Sequence, residues 1–286
     1  MKLQSPLMTA RKTERSASQF LTSLGVRAAP FALLIFLGMA GTLCAQIGGD
    51  PPEAPAPGKP GAPIDLTGYW VAYVTEDWRW RMVTPLKGDA ASVPTNAEGR
   101  KVLNEWDPAK DEAAGLQCKS YGAPAIMRVP GRLHITWQDD TTLKIETDAG
   151  QQTRIFHFAG APPRETAPSW QGYSFAKWEG ALPVVNPPVF FGLGINPRLG
   201  ARSRSLEVTT TQLRAGYLRK NGVPYSDKTV LKEYYDVFSE PNADTWLMVT
   251  TVVDDPTYLA LPFVTTSHFK KLADASGWDP EPCTAR

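Results

Sequence analysis

Cysteine and histidine are both scarce in this chain, with three residues of each among 286. The sequence also contains no Cys-x-x-Cys pair, no nucleophile elbow, no phosphate-binding loop and no dinucleotide-binding glycine pattern. These absences remove the usual sequence signatures of thiol oxidoreductases, α/β-hydrolases, P-loop NTPases and nicotinamide-dependent enzymes. Short motifs therefore do not identify an activity.

The three histidines do not predict a metal site. His134, His157 and His268 all lie in predicted strands, and no pair shows the His-x-His or His-x-x-x-His spacing of zinc ligands. They could converge inside a barrel, but nothing in their spacing requires it. We expect structural or surface histidines, no metal and no cofactor.

The first 45 residues have the layout of a secretory signal peptide. A long basic start is followed by the apolar run Phe31–Leu43 and then by Ala45. The run is shorter than the roughly 20 residues that span a bilayer, so an uncleaved anchor is the alternative. Cys44 suggests a lipoprotein, but a lipobox has a small residue where Leu43 stands. We expect cleavage after Ala45 and a periplasmic or secreted protein.

Cleavage would change both the charge and the cysteine count. Removing residues 1–45 takes away five basic residues and one acid from a chain of charge +1, which leaves −3. Such a nearly neutral protein is not expected to bind nucleic acid. Two cysteines remain, Cys118 and Cys283. An oxidising compartment favours a disulfide between them, and two buried thiols are the alternative.

The remaining chain divides into a linker and one domain. Residues 46–63 are rich in Pro, Gly and Ala, which predicts an extended, disordered linker. Residues 64–286 suit one all-β domain. In Leu133–Trp137, Thr142–Glu146 and Thr153–Phe158 apolar and polar residues alternate, with short Asp- and Gly-containing turns between them, which is typical of antiparallel hairpins.

Further strands are predicted along the domain by the same alternation. They are Tyr69–Thr75, Trp78–Val83, Ile126–Val129, Tyr173–Trp178, Leu182–Val185, Leu206–Thr211, Val230–Phe238, Trp246–Val253 and Phe263–Lys270. One helix is predicted over residues 96–106, with Thr95 as its cap, and another helical turn after Pro108. We predict an all-β antiparallel meander closing into a lipocalin-like barrel of about 8–10 strands, with one short helix near the N-terminal side.

Two resemblances support this architecture. Gly68-Tyr69-Trp70 resembles the Gly-x-Trp entry to the first strand of lipocalins, where the tryptophan plugs one end of the barrel. The segments Pro168–Ser174 and Trp178-Glu179-Gly180 are similar to segments of uncharacterised secreted bacterial β-rich proteins. That family also carries two cysteines placed like Cys118 and Cys283. The resemblance implies a fold and a compartment but no reaction.

Glu233 is the candidate catalytic residue. It shares a strand face with apolar neighbours, where a carboxylate is costly unless it is paired. A raised pKa there would suit a general acid or base, and Arg214, Arg219 and Lys220 are possible partners. The alternatives are an inward ion pair that fixes strand register and an outward-facing residue on an edge strand.

Two loops supply candidate ligand-binding residues. Residues 214–225 combine cations with tyrosines, a composition that can hold an anionic ligand at a barrel mouth; a solvated hairpin end is the alternative. Residues 186–204 form an apolar, Gly/Pro-rich loop that either covers the core or contacts a partner. The candidates are Arg214, Tyr217, Arg219, Tyr225, Phe190, Phe191 and, outside the loops, Trp178.

The sequence therefore favours an exported binding protein for a small apolar or amphipathic molecule. One alternative is an enzyme in the same cavity, an isomerase or hydratase that uses Glu233 with a tyrosine or histidine. Another is an envelope interaction protein that contacts a membrane surface or an envelope protein through residues 186–204.

Overall fold

The computed structural model describes residues 57–160, 167–179 and 205–286, and they form a closed β-barrel. Nine strands make its wall: β1 (Gly68–Tyr73), β2 (Arg132–Asp139), β3 (Thr142–Thr147), β4 (Thr153–His157), β5 (Tyr173–Trp178), β6 (Leu206–Thr211), β9 (Val230–Ser239), β10 (Thr245–Asp254) and β11 (Phe263–Leu272). Two short strands, β7 (Gly216–Tyr217) and β8 (Pro224–Tyr225), form a separate hairpin. The predicted all-β barrel is confirmed.

The strand order shows where the barrel departs from a simple meander. Around the wall the order is β1, β11, β10, β9, β6, β5, β4, β3 and β2, and pairing of β1 with β2 closes the sheet. All neighbours pair antiparallel except β4 and β5, which are parallel. Closure leaves each barrel strand with two neighbours, so no barrel strand presents a free edge.

Short helices lie between β1 and β2. Among the described residues there are four α-helices: α1 (Trp78–Arg81), α2 (Ala97–Glu105), α3 (Pro108–Ala113) and α4 (Ala123–Ile126). The helical turn predicted after Pro108 is α3, whereas α1 and α4 were not predicted. The predicted helix is α2, but its cap is Asn96 rather than Thr95, because the Asn96 side chain accepts a hydrogen bond from Gly99 N at 2.9 Å. No helix in these ranges is long and apolar enough to cross a membrane.

Two predicted strands are wrong, and local geometry explains both. The segment Trp78–Val83 alternates like a strand, yet it begins with α1, which buries Arg81 and exposes Trp78. Ile126–Val129 overlaps the end of α4, where Pro124 lies in the first helical turn and has a fixed φ suited to a helix. Leu182–Val185 lies outside the described residues.

In the described part of the chain, buried apolar side chains form two clusters. The larger one fills the barrel and includes Trp70, Phe156 and Phe269. The indole of Trp70 is fully buried, and its Nε1 donates to the carbonyl oxygen of Leu66 at 3.0 Å. The second cluster joins α2 to the β7–β8 hairpin and to the ends of β9, β10 and β11.

A disulfide ties the C-terminal tail to the helical region. Cys118 and Cys283 are bonded, with an S–S distance of 2.07 Å and a Cα–Cα distance of 5.1 Å. The predicted pairing is therefore confirmed, and the alternative of two free thiols is wrong. Cys118 belongs to the 3₁₀ turn Gln117–Tyr121, and Cys283 lies three residues before the C-terminus.

Candidate functional site

A cavity of about 300 Å³ lies beside the end of the barrel at which β2 begins. Its walls come from α1 and the residues after it, the residues before β2, the β3–β4 turn, the β7–β8 hairpin and the C-terminal tail. We call it the arginine cleft, because Arg81, Arg128 and Arg219 line it together with Lys220. The lining contains four cations and a single carboxylate, Glu281. Two of the cations, Arg81 and Arg128, pair with carboxylates behind the lining.

The three arginines are held in place by the fold. Arg81 pairs with Glu76, and its Nε donates to the carbonyl oxygen of Arg128 at 2.9 Å. Arg128 in turn pairs with Asp77 at 2.8 Å. Arg81, Arg128 and Arg219 are only 8 %, 5 % and 4 % exposed. These charges are buried and ordered, in contrast to cations on a solvated surface.

Arg219 has the least charge compensation of the three. Its Nη1 donates to the carbonyl oxygen of Ala91 at 2.8 Å and its Nη2 to the Ser92 hydroxyl at 2.9 Å, so both bonds end on neutral oxygens. Burial, and then repulsion from Arg128, lowers the pKa of Arg219 to about 10. It therefore stays cationic at neutral pH in a setting that disfavours its charge.

Each cleft arginine also retains an unused hydrogen-bond donor. Arg81 Nη2, Arg128 Nη1 and Arg219 Nε are buried nitrogens with no hydrogen-bond partner among the described residues. Five arginines carry such a nitrogen in those ranges, and three of the five line this one cleft. Buried donors are nearly always paired in folded proteins. The arginines that line this cleft therefore depart from the usual pattern.

The β7–β8 hairpin brings Arg219 into the cleft because its turn can pack closely. Gly222 has φ +87°, which disfavours other residues, and a Cβ there would lie 2.3 Å from the Trp106 ring. Asn221 is fully buried, and its Nδ2 donates at 2.9 Å to the carbonyl oxygens of Leu86 and Asp89. The hairpin tip is therefore packed against the segment after α1 and is not a solvated hairpin end.

The disulfide shapes the opposite wall of the cleft. Lys220 Nζ lies 3.3 Å from the Thr284 hydroxyl and 4.9 Å from the centre of the Tyr121 ring. The Tyr121 hydroxyl is 3.3 Å from the same threonine oxygen. Cys283 precedes Thr284, and Cys118 lies three residues before Tyr121. The cross-link therefore holds the tail where it forms part of the wall.

The interior of the barrel holds a second polar group around Glu233. Its carboxylate accepts two hydrogen bonds from Arg154, at 2.8 and 2.6 Å, and one from the Tyr235 hydroxyl at 3.2 Å. All three side chains are fully buried. Burial opposes the charge on Arg154 most strongly, but attraction to Glu233 and Tyr235 and the hydrogen bonds to both together outweigh it and raise the pKa of Arg154. Burial also raises the pKa of Tyr235, and the neighbouring carboxylate raises it further.

The partner expected for Glu233 is therefore wrong. The sequence suggested Arg214, Arg219 or Lys220, whereas the inward-facing Arg154 of β4 makes the ion pair. The interpretation of an inward pair fits this geometry, because both carboxylate oxygens are occupied by the guanidinium. The catalytic role of Glu233 stays a prediction.

The remaining candidate residues are dispersed. Arg214 is exposed and stacks over Trp170 at 4.6 Å, and Tyr217 donates to Asp111 at 2.9 Å. Tyr225 is fully buried in the second apolar cluster, where burial raises its pKa. None of these candidates lines the arginine cleft.

Trp178 has a structural setting at the end of β5. Its Nε1 donates to the carbonyl oxygen of Gly58 at 2.7 Å, and its ring packs against Phe158. Phe190 and Phe191, with the whole loop 186–204, lie outside the described residues. Of the predicted ligand-binding residues, Arg219 alone contributes to the cleft within the described part of the chain.

The histidines do not form a cluster. His134 stacks on Tyr69 at 4.1 Å, and His157 stacks on Tyr173 at 4.8 Å. His268 Nδ1 lies 3.2 Å from a Glu76 oxygen. In the described ranges no group of three His, Cys, Asp or Glu residues is placed to hold a metal ion.

Arg81 and Arg128 were missed by the sequence analysis because both lie in segments that were predicted to be strands. One signal was present in each. Arg128 follows Ile126 and Met127 and precedes Val129, and a lone cation in an apolar run needs a specific buried environment. Arg81 lies in Trp-Arg-Trp-Arg, where aromatic rings and guanidinium groups can stack.

A larger groove, of about 720 Å³, runs between residues 59–68 and β2. Its ionisable side chains are Lys59, Asp65 and His134, and none of them is buried. It offers neither a concentration of charge nor an ordered set of donors, so the arginine cleft is the stronger candidate site.

No protein-family model matches this chain, and no curated protein or solved structure matches it either. The resemblances to lipocalins and to secreted bacterial proteins therefore stay predictions.

Proposed function

We propose that this protein is an exported small-molecule binding protein whose ligand is amphipathic and carries an anionic head. The observation that carries the proposal is the arginine cleft, where Arg81, Arg128 and Arg219 each keep a buried donor without a partner among the described residues. A carboxylate, sulfonate or phosphate would satisfy such donors, because guanidinium groups bind planar and tetrahedral oxyanions well. The disulfide supports an oxidising compartment.

The cleft also offers an apolar surface for the body of the ligand. Met82, Val83, Tyr121 and Leu218 line it beside the cations. Ligand sites typically combine mostly apolar walls with a few fixed polar groups. The volume of about 300 Å³ lies at the lower end of the range for such sites, so a ligand with one or two rings or a short acyl chain fits best.

An anionic head would also offset the unfavourable free energy of the buried arginine charges. Burial and repulsion from Arg128 disfavour the charges on Arg81 and Arg219, and burial lowers the pKa of Arg81 despite its pairing with Glu76. A bound anion would stabilise these charges at neutral pH.

Two fluorescent probes with the same aromatic body test the proposal. Anilinonaphthalene sulfonate carries a negative charge, and N-phenylnaphthylamine lacks it. We expect the sulfonate probe to bind more tightly. Lys220→Gln should weaken its binding about tenfold to about a hundredfold, because a hydrogen bond to a charged group contributes about 1.5–3 kcal/mol. It should leave binding of the neutral probe nearly unchanged.

Lys232→Gln is the matched control, because Lys232 is an exposed lysine of β9 outside the cleft lining. Arg219→Lys keeps the charge but removes the guanidinium fork, so it should weaken sulfonate binding without a comparable loss for the neutral probe. Equal affinity of both probes, or equal effects of Lys220→Gln and Lys232→Gln, would reject an anion-selective cleft.

A further inference from the structure

The segment that borders the cleft has an unusual exposed surface. Trp78 is 64 % exposed, Met82 59 %, Val83 66 % and Leu86 82 %. These four residues are within nine positions of the chain, whereas exposed large apolar residues are usually scattered singly. We call residues 78–87 the rim segment. Met82 and Val83 also line the cleft, so the rim segment borders its opening.

Polar groups of the rim segment anchor it to the domain. Trp80 Nε1 donates to Asp89 at 3.1 Å, and the Trp80 ring stacks under Arg219 at 4.9 Å. Asn221 binds the carbonyl oxygen of Leu86, and Arg81 binds that of Arg128. The backbone is therefore fixed from the inside while the large apolar side chains project outwards. Such an arrangement presents an apolar surface without requiring a change of fold.

The fully exposed charges of the rim segment are both positive. Arg79 and Lys87 are exposed, whereas Glu76, Asp77 and Asp89 are partly buried. Arg79 Nη2 lies 3.8 Å from an Asp89 oxygen, a surface pair that is easily exchanged for another anion. Glu76 pairs with Arg81 and Asp77 with Arg128. Outward tryptophan and aliphatic side chains flanked by cations are typical of surfaces that insert into the headgroup region of a bilayer.

We propose that the rim segment docks this protein on the surface of an anionic phospholipid bilayer. Trp78 and Leu86 would enter the interface, and Arg79 and Lys87 would contact lipid phosphates. Docking would place the cleft opening next to the membrane. The inference goes beyond the proposed function and does not depend on it.

Co-sedimentation with vesicles tests docking. The protein, purified after export, is mixed with vesicles of phosphatidylcholine alone or of phosphatidylcholine with phosphatidylglycerol. We expect binding to the anionic vesicles that weakens as salt is added. Trp78→Ser/Leu86→Ser should lower the partition coefficient about tenfold or more, which corresponds to the transfer of two apolar side chains. Arg79→Gln/Lys87→Gln should remove the preference for anionic vesicles.

Phe175→Ser is the matched control, because Phe175 is an exposed aromatic residue on β5, and it should bind vesicles like wild type. The proposal is overturned if wild type does not bind anionic vesicles, or if Trp78→Ser/Leu86→Ser binds them as tightly as wild type does. The fluorescent-probe assay tests ligand binding in the cleft independently of membrane docking. Trp78 and Leu86 do not line the cleft, so Trp78→Ser/Leu86→Ser should bind the sulfonate probe with wild-type affinity.

Discussion

Replacing Glu233 by glutamine should destabilise the protein far more than the loss of a surface charge. The carboxylate and the Arg154 guanidinium are both 0 % exposed and are joined by two hydrogen bonds. A neutral amide in place of the carboxylate would leave the arginine charge buried without a counter-ion. Breaking one side of a buried pair costs about 3–5 kcal/mol. The ring of Phe156, 4.9 Å from the guanidinium carbon, would compensate only a small part of that loss.

Urea denaturation at neutral pH measures this loss. A slope of about 2–3 kcal/mol per molar urea is usual for a domain near this size, so the midpoint should fall by about 1–2.5 M. Glu207→Gln is the matched control, because Glu207 pairs with Lys177 at 3.1 Å and that lysine is 58 % exposed. Such a surface pair contributes about 0–1 kcal/mol.

A double replacement distinguishes an unpaired charge from disturbed packing. Arg154→Met/Glu233→Leu removes both charges, and apolar replacement of a whole buried pair is often neutral or stabilising. It should recover most of the stability lost in Glu233→Gln. The reasoning is refuted if Glu233→Gln and Glu207→Gln shift the midpoint equally, or if the double variant is no more stable than Glu233→Gln.

Two further predictions concern the disulfide and acid stability. Reduction of Cys118–Cys283, which closes a loop of 165 residues, should lower the free energy of unfolding by about 4–5 kcal/mol and weaken binding of the sulfonate probe; a reduced protein with unchanged thermal midpoint would contradict this. Burial alone would raise the pKa of Glu76, but hydrogen bonds and the attraction of Arg81 lower it below the ordinary 4.5. Its contribution to stability is therefore full above pH 4.5 and is lost as pH falls through the folded-state pKa, so wild type and Glu76→Gln should converge in acid denaturation.

The barrel could be predicted because the information for its strands is local. In β2 and β3 every second residue is apolar, and Leu133, Ile135, Leu143 and Ile145 are at most 3 % exposed. The turn between these strands lies at the predicted aspartates. Alternation decides which face is buried, and short turns decide which strands are neighbours. Neither depends on contacts distant in the sequence.

Predicting the partner of Glu233 required knowledge of contacts between residues that are distant in the sequence. Arg154 shares its strand face with Phe156, and both side chains are fully buried in the barrel. The pairing, however, joins β4 to β9 across the interior, with two strands of the wall between them. Such a contact is fixed by barrel closure and has no signature in the spacing of the two residues.

The cleft was harder still to predict, because five separate segments form it and two of them were assigned to the wrong secondary structure. Periodicity cannot distinguish a single helical turn from a short strand when residues alternate as in Trp78–Val83. Burial of Arg81 and Arg128 depends on how α1 packs against the residues before β2. The hairpin residue Arg219 was found because its turn composition is recognisable in the sequence.

The two sets of buried arginines differ in a way that bears on function. Arg154 has a full counter-charge in Glu233, and removing both side chains would alter only the interior of the barrel. The cleft places three arginines near one another, with Arg219 bonded only to neutral oxygens. A fold selected for stability alone would replace such a charge by an apolar group. A buried charge without a bonded counter-ion lowers the stability of the fold, and such unfavourable local features are expected where a structure serves binding. The cleft is therefore a better candidate for a ligand site than the barrel interior.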